Sequence, residues 1–416
     1  MKRTGLIISL FFAAVVSVNA QNNSAPYSIL GIGDIESSYF DRASGMANTG
    51  MSLTSNRFLY HSNPASYSNL DDHWFHAEVS LRFKYSSYSG NSLSQYGSNT
   101  ATDLQAKKIA LAIKVKKRWT SSIGLMPYSS SNYSFYAPKI VLGTPYSANA
   151  YYEGSGGINQ IYFANSFAIN KNLSFGIHSA FLFGNMQQKE TIAAGLIDSL
   201  LVTTKNTYYN NPYFKFGLQY HKRVSPKLKL GFGATGSFQT KLRSTQSLLV
   251  QQGLSTVYSN NFYGTNFFKL PYTYGGGLSA VLKDKFTFAT DYSHQSWSYL
   301  NYTGVGYTLT NSDRYSIGFE YSKKVKYRDF IFEKYYLQSG LFYNNSYVTL
   351  NTQQINDIGG TVGAGFNSLK GLSLMGALEF GRRGTISNGL VKENYVQFTI
   401  GISYRDFWFT KIKRYD

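Results

Sequence analysis

Histidine and hydroxyl side chains are the first candidates for chemistry in this chain of 416 residues, which has 6 His and no Cys. The lack of cysteine excludes a disulfide scaffold, a thiolate metal site and a cysteine nucleophile. His73 and His76 are three positions apart in a strand-like stretch, so they point to opposite faces and do not share a metal ion. His178 shares a predicted face with Ser174, but no motif supplies the third group of a hydrolase. We therefore predict no enzyme, no metal site and no cofactor.

Other ionisable residues stand within stretches where apolar and polar residues alternate. Alternation assigns one group of them to the polar face: Glu78, Arg82, Lys84, His178, Lys215, Asp291, Glu320 and Glu379. Internal ion pairs in a polar interior are the simplest role for these charges. A cation such as Arg82 or Lys84 would alternatively suit the carboxylate headgroup of an amphipathic ligand.

Long β-strands are the elements that must position these side chains. Residues 75–85, 108–115, 173–183 and 396–404 alternate between apolar and polar types, which is the period of a strand. A soluble sandwich has the same local pattern, but many predicted strands exceed its usual length of about 5–6 residues and suit a tilted membrane strand. We predict fourteen strands, at residues 73–88, 104–117, 118–130, 158–170, 172–188, 212–222, 226–242, 271–283, 284–299, 313–325, 334–350, 356–368, 370–384 and 391–404.

The connections between these strands alternate between short turns and long loops. Long loops are predicted at residues 89–103, 131–157, 189–211, 243–270, 300–312 and 344–355. Short turns on one rim and long loops on the other are typical of an outer-membrane barrel, and an even strand number puts both termini in the periplasm. The sequence therefore predicts an all-β fold, a 14-stranded antiparallel transmembrane β-barrel.

The composition and the N-terminus agree with an exported membrane barrel. Aromatic residues make up 17% of the chain and charged residues only 15%, against about 25% charged residues in soluble domains. Lys2 and Arg3 precede an apolar run that ends in Val18-Asn19-Ala20, the pattern of a secretory signal peptide cleaved after Ala20. We predict a bacterial outer-membrane location, with residues 1–20 removed on export.

The net positive charge is the other unusual property, at +19 for the whole chain. Basic residues crowd the rim of short turns, at residues 114–118, 222–229, 283–285 and 323–328. This rim suits the anionic headgroups of outer-membrane lipid in the inner leaflet, and a solvated rim without lipid specificity explains the charge equally well. Nucleic-acid binding is not expected, because an exported barrel meets little nucleic acid.

Residues 21–72 do not alternate and contain turn-forming sequences, including Gly31-Ile32-Gly33-Asp34 and Asn63-Pro64-Ala65. Side chains alone fill a barrel of about eight strands, so a fourteen-stranded barrel has room for a plug. We expect this segment to be a hatch inside the lumen, with a periplasmic position as the alternative. The predicted division is a hatch at 21–72, a barrel at 73–409 and a periplasmic tail at 410–416.

Several short motifs resemble the long-chain fatty acid transporter family of outer-membrane proteins, in a Bacteroidetes-like version. Asn63-Pro64-Ala65 is similar to the NPA motif at the end of that family's hatch, and residues 42–50 resemble the Gly-rich segment before it. Leu125-Met126-Pro127-Tyr128 resembles the Pro-containing third strand of the family. Further similar motifs lie at residues 156–160, 270–272 and 291–297.

The resemblance implies a plugged barrel for passive uptake of hydrophobic small molecules such as fatty acids. The ligand would bind in the lumen and leave sideways through a gap at a kink in the third strand. Pro127 is a local cause of such a kink, because proline removes a ladder donor, or else it only ends the strand near the extracellular rim. Asn63, Pro64 and Ala65 would lie against the kink. Another function also stays open: some relatives of this fold are non-transporting subunits of outer-membrane secretion or assembly complexes.

Overall fold

The computed structural model describes residues 26–90, 99–140, 147–192, 200–304, 306–327, 330–369 and 371–407. Its strands, in chain order, are β1 (Asp34–Ile35), β2 (Trp74–Ser89), β3 (Thr100–Lys116), β4 (Trp119–Ser130), β5 (Tyr133–Ile140), β6 (Ser147–Ala168), β7 (Leu173–Ile192), β8 (Leu201–Ser225), β9 (Leu228–Ser237), β10 (Thr240–Gln252), β11 (Ser255–Leu270), β12 (Thr273–Leu282), β13 (Phe286–Gln295), β14 (Thr303–Gly304), β15 (Tyr307–Leu309), β16 (Ser312–Tyr327), β17 (Phe330–Leu350), β18 (Gln353–Asn367), β19 (Leu372–Arg383) and β20 (Lys392–Phe407). Short 3-10 turns lie at Pro26–Ile29, Arg42–Met46, Pro64–Asn69, Ser298–Leu300 and Ser387–Gly389. No helix within these ranges is long and apolar enough to cross a membrane. The predicted signal peptide, its cleavage site and the predicted tail lie outside the described residues.

All of these strands belong to one antiparallel sheet, which closes on itself where β2 pairs with β20. β9 and β10 both pair with β8 and form one wall strand that is interrupted at residues 238–239. β11 and β12 likewise form one wall strand, interrupted at residues 271–272. Because β1, β5, β14 and β15 are additions beside the wall, the barrel has fourteen strands, and the predicted fold class is confirmed.

The wall extends farther on the long-loop side than the sequence predicted. β6 begins at Ser147 and β8 at Leu201, and β10 and β11 form a hairpin across much of the predicted loop at 243–270. The loop predictions at 131–157, 189–211, 243–270 and 344–355 are therefore wrong over most of their length. These stretches are rich in Ser, Thr, Asn and Tyr, so they pair as strands without the clear apolar period that marks a membrane strand.

The wall strands present apolar side chains outwards and polar side chains to the lumen. On β2, Val79 and Phe83 are 39% and 45% exposed, whereas Glu78 and Arg82 are buried. The other wall strands repeat this alternation with large apolar residues on the outer face. The barrel therefore has an apolar outer band and a polar interior, which is the pattern of outer-membrane barrels.

Residues 26–72, called the inner segment below, lie inside the barrel and are mostly buried. At the long-loop end, the Val391 amide donates to the Tyr27 hydroxyl over 3.0 Å. At the short-turn end, the His221 ring lies 2.8 Å from the Ser52 carbonyl oxygen. The inner segment thus spans the lumen between the two rims before the chain enters β2.

Candidate functional site

The third wall strand, β4, separates from β3 partway along the barrel. Within the described residues, backbone pairing between the two strands stops at Ile109 and Leu125. Beyond this point β3 still pairs with β2, and β4 still pairs with β6. The backbone pairing of the wall is therefore interrupted over a stretch, called the window below, between residues 100–108 of β3 and 126–130 of β4.

The inner segment crosses the window on the lumen side and pairs with the free edge of β4. Its strand β1 runs antiparallel to β4, with Ile35 opposite Ser129. The Glu36 amide then donates to the Tyr128 carbonyl over 2.9 Å. This pairing satisfies backbone groups of β4 that β3 leaves free.

Pro127 lies where β4 turns away from β3. It has no amide hydrogen for a ladder bond, and the register against β6 shifts between Pro127 and Ser129, which marks a β-bulge. Its carbonyl oxygen accepts from the side-chain Nε2 of Gln160 over 3.4 Å. Pro127 therefore sits at a local break in the third strand, while its role in gating stays a prediction.

Four charged side chains tie the inner segment to the other edge of the window. The Glu36 carboxylate lies 3.2 Å from Arg82 on β2 and 3.4 Å from Lys107 on β3. Arg82 also pairs with Asp103 at 3.4 Å. Burial alone would raise the pKa of Glu36, but the charges of Arg82 and Lys107 outweigh it and lower this pKa, so the carboxylate is ionised at neutral pH. Glu36 therefore joins both sides of the window.

Lys107 reaches the lumen because β3 contains a β-bulge. The register between β2 and β3 skips Lys107, which is the extra residue. Lys107 and Lys108 consequently both point inwards, and both are nearly fully buried. Lys108 pairs with the predicted lumenal residue Glu78 at 2.6 Å. Strict alternation would place Lys107 and Lys108 on opposite faces and so does not predict the bulge. The sequence signal for it is the pair of adjacent lysines within an alternating stretch.

The Asn63 side chain organises the NPA motif. Its oxygen accepts from the Ala65 amide over 3.0 Å, which caps the 3-10 turn that follows. Its amide nitrogen donates to the Met51 and Leu218 carbonyls, each over 2.9 Å. The motif is therefore bonded both to the inner segment and to β8.

Glycines on the wall determine where the NPA motif packs. At Gly176 on β7 and Gly217 on β8, an added Cβ would collide with Pro64 or Asn63. The Ala65 carbonyl accepts from a serine hydroxyl of β6 over 3.0 Å. The motif thus lies against β6, β7 and β8, and a role of Asn63, Pro64 and Ala65 at the kink beside Pro127 stays a prediction. In the sequence this position is marked by Gly176 and Gly217 on the partner strands and not by residues next to the motif.

Two predicted lumenal carboxylates hold the inner segment. Glu320 pairs with the buried Arg42 guanidinium at 2.7 Å. Asp291 accepts from the backbone amides of Gly50 and Met51 over 2.7 and 2.9 Å. Both contacts agree with the predicted role of lumenal charges, which is to hold the plug by internal ion pairs and hydrogen bonds.

A polar cavity of about 280 Å³ remains between the inner segment and the wall. The structure brings seven of the predicted site residues together around it: Arg82, Lys84, Pro127, His178, Lys215, Asp291 and Glu379. Arg314, Asp357 and Arg383 also line the cavity, and sequence reasoning missed them. These three residues lie in parts of strands where polar residues occur on both faces. The sequence therefore does not show which face points to the lumen.

The predicted headgroup ligands Arg82 and Lys84 face this cavity but already have carboxylate partners. Lys84 pairs with the fully buried Glu393 at 2.7 Å, and Arg82 pairs with Glu36 and Asp103. A ligand carboxylate would have to replace one of these partners. The headgroup role of Arg82 and Lys84 therefore stays a prediction.

Three further predicted residues of the cavity, Lys215, His178 and Glu379, contact neutral groups, whereas Arg383 pairs with Asp34 at 2.6 Å. The Lys215 ammonium donates to the Ser62 carbonyl over 2.7 Å. The His178 ring lies 3.2 Å from the Gln160 side-chain oxygen, and the Tyr395 hydroxyl donates to Glu379 over 3.2 Å. Within the described ranges, no group of three His, Asp or Glu side chains is placed to hold a metal ion.

An apolar cluster leads from the long-loop end of the lumen towards the window. In it Trp297 stacks on Tyr347 with ring centroids 4.7 Å apart. Ile32 of the inner segment is fully buried in this cluster, and Ile35 packs against it. The cluster continues to Met126 at the edge of the window. Side chains of the inner segment therefore occupy the apolar part of the lumen.

Three solved structures that share this fold are a FadL homologue and two channels or transporters for hydrocarbons. A FadL homologue of Pseudomonas aeruginosa aligns with a TM-score of 0.59 and 13% identity over 88% of this chain and 98% of its own. The monoaromatic hydrocarbon channel CymD aligns with a TM-score of 0.58 and 12% identity over 88% and 97%. The toluene transporter TbuX of Ralstonia pickettii aligns with a TM-score of 0.56 and 14% identity over 93% and 100%. The fold defines a FadL-type barrel, as the motifs of the sequence indicated.

Within this class the chain belongs to the BamG family, whose model matches residues 1–416. A comparison with curated proteins found no match.

Proposed function

We propose that this protein resides in the bacterial outer membrane, after removal of residues 1–20, and passively admits hydrophobic, fatty-acid-like compounds. The compound would enter from the long-loop side, bind in the lumen and leave sideways through the window beside β4. The window carries this proposal, because it is a stretch of wall where the lumen and the surrounding lipid are not separated by paired strands. Free strand edges are costly in hydrocarbon, so β4 requires the substitute partner that β1 provides.

The route for a hydrophobic compound is the apolar cluster around Trp297 and Tyr347. Ile32 and Ile35 occupy this route in the described state, which is therefore closed. Withdrawal of residues 26–36 would vacate an apolar path to Met126 and the window at the same time. The names of the solved neighbours, which refer to toluene and monoaromatic hydrocarbons, support a hydrophobic class of ligand.

A reversible crosslink between the inner segment and β4 tests this proposal. Ile35 and Ser129 are antiparallel partners, a geometry within disulfide reach, and the chain has no other cysteine. In the variant Ile35→Cys/Ser129→Cys, uptake of a labelled long-chain fatty acid and of toluene by intact cells, whose lipopolysaccharide leaflet slows diffusion of both compounds, should fall to the level without the protein on oxidation and return on reduction. The control Ser279→Cys/Ala289→Cys crosslinks two partners within the wall and should transport in both states. Equal uptake by the oxidised and reduced window variant would refute the proposed route.

A second candidate function is that of a non-transporting subunit in an outer-membrane secretion or assembly complex. The polar cavity favours it, because charged residues such as Arg314, Asp357 and Arg383 are poor neighbours for a hydrocarbon. The hairpin of β10 and β11 adds a projecting surface, on which Leu254 and Phe262 are exposed.

Purification in gentle detergent separates the two candidates. A complex subunit should co-purify with other outer-membrane proteins and give crosslinks from the β10–β11 hairpin to them. A monomer without partners that still takes up hydrophobic compounds would exclude the subunit function. A stable complex whose barrel shows no uptake would exclude the channel.

A further inference from the structure

Neighbouring turns on the short-turn rim carry an unusual density of positive charge. The set is called the cationic arc below and comprises Lys116, Lys117, Arg118, Lys171, Lys222, Arg223, Lys227, Lys229, Lys283, Lys285, Lys323, Lys324 and Lys326. Among the described residues of these turns and strand ends, Asp284 pairs with Arg223 at 3.0 Å, and Glu333 stands opposite Lys324 but pairs with Arg42 at 2.9 Å. The sequence adds Arg328 and Asp329 to the last turn, and their charges cancel. The arc therefore has a large uncompensated positive charge.

The turns that carry the arc are direct neighbours along the rim. The Lys283 amide donates to the Lys227 carbonyl over 2.6 Å, and the Ser322 amide donates to the Lys285 carbonyl over 2.7 Å. Across β8 and β9, Arg223 stands directly opposite Lys229. Like charges in opposite positions destabilise a sheet, and Asp284 neutralises only one of these two, so the other favours an anion from outside the chain.

Aromatic side chains show the depth at which the arc lies. Lys222 follows two positions after Tyr220, which is 41% exposed on the outer face of β8. Beside Lys117, Trp119 stacks on the outward-facing Phe167 with ring centroids 6.2 Å apart. Tyr and Trp concentrate where hydrocarbon meets headgroups, so cations just beyond them lie at the depth of lipid phosphates.

We propose that the cationic arc binds the phosphate headgroups of anionic phospholipids in the periplasmic leaflet. A continuous strip that borders the aromatic belt suits a row of lipid headgroups, whereas a protein partner would require a surface that projects beyond the membrane. The inference rests on the proposed membrane location, with the short turns in the periplasm. It does not depend on transport through the lumen.

Quenching of Trp119 by brominated lipid tests the arc. The protein with Trp74→Phe and Trp408→Phe is placed in nanodiscs that contain brominated phosphatidylglycerol or brominated phosphatidylcholine at equal fractions. The remaining Trp297 is buried in the lumen and adds a constant background. We expect the anionic lipid to be enriched roughly twofold to fivefold around Trp119, and this preference to fall as salt is added.

A triple variant and a matched control decide the outcome. Lys116→Gln/Lys117→Gln/Arg118→Gln should remove the preference, whereas Lys205→Gln/Lys241→Gln/Lys269→Gln removes the same charge from the long-loop side and should keep it. Equal quenching by both lipids in the starting protein would overturn the inference, as would a triple variant that keeps the preference. The inference would also be overturned if the triple variant lost an acidic protein partner but kept the lipid preference. Absence of quenching by either lipid would refute the membrane location as well, whereas failed uptake with an intact lipid preference would refute transport alone.

Discussion

The Glu36 carboxylate lies 3.2 Å from the Arg82 guanidinium, and this contact fastens the inner segment to the wall beside the window. The backbone of Glu36 is at the same time bonded to Tyr128 on the opposite edge. One residue therefore closes the space between two wall strands that do not pair there. Any motion of the inner segment away from the window must break both contacts.

Neutralising Glu36 should loosen the segment at the window. Glu36→Gln leaves Arg82 and Lys107 without this carboxylate, and loss of a buried charged partner costs about 2–4 kcal/mol. Local opening should become roughly 30-fold or more frequent, measured as maleimide labelling of Ser130→Cys. Glu190→Gln is the control, because it removes the partner of Lys139 on a half-exposed strand. Identical labelling rates for Glu36→Gln and the parent would contradict the role of Glu36.

The contribution of Glu36 should be lost in acid. Its pKa is lowered in the folded state, so the stabilisation is complete above the ordinary glutamate pKa of about 4.3 and disappears as the pH falls through the lower folded value. The thiolate fraction of the reporter cysteine falls equally in both proteins as the pH falls, so the ratio of their labelling rates is compared. This ratio, Glu36→Gln over the parent, should stay constant from about pH 8 to 5 and approach one below about pH 4. A ratio that already falls between pH 7 and 5 would mean that the pKa of Glu36 is not lowered.

Removing the Asn63 side chain should weaken the fold of the whole plugged barrel. Asn63→Ala deletes a cap and the side-chain hydrogen bonds to the Met51, Leu218 and Ala234 carbonyls, at an expected cost of about 2–4 kcal/mol. The midpoint of heat-induced unfolding, followed by the gel shift of the barrel, should fall clearly. Asn69→Ala provides the comparison, because its hydrogen bond to Thr54 is exposed and its loss should have little effect. Equal midpoints for the two variants would argue against a structural role of the motif.

The pair of Lys108 and Glu78 should show strong energetic coupling, because both side chains are fully buried at 2.6 Å. Lys108→Met alone leaves Glu78 charged and unpaired, with an expected loss of about 3–5 kcal/mol. The double variant Lys108→Met/Glu78→Gln should recover much of this loss in denaturant unfolding. In the half-exposed pair of Lys189 and Glu153, the same cycle should give about 0–1 kcal/mol. Additive effects at Lys108 and Glu78 would contradict their pairing.

Local alternation was sufficient to predict the wall of the barrel. Val79 and Phe83 face outwards and Glu78 and Arg82 face inwards because neighbouring side chains of a strand point to opposite faces, whatever the distant partner is. The same rule placed His178, Lys215, Asp291, Glu320 and Glu379 on the lumen side. It did not reveal the strand extensions beyond the membrane, because polar residues there occupy both faces.

Tertiary structure alone decided which charges meet and where the inner segment binds. Arg42 and Glu320 are 278 positions apart, and no period or motif near either residue specifies the other. Lys107 turns inwards only because a bulge changes the register of β3, and the NPA motif packs where Gly176 and Gly217 leave room. The barrel and its two faces could be predicted from the sequence, since the orientation of each side chain follows from its neighbours in the chain. The closure of the window depends on contacts between distant segments, which become definite only when the barrel has folded around the inner segment.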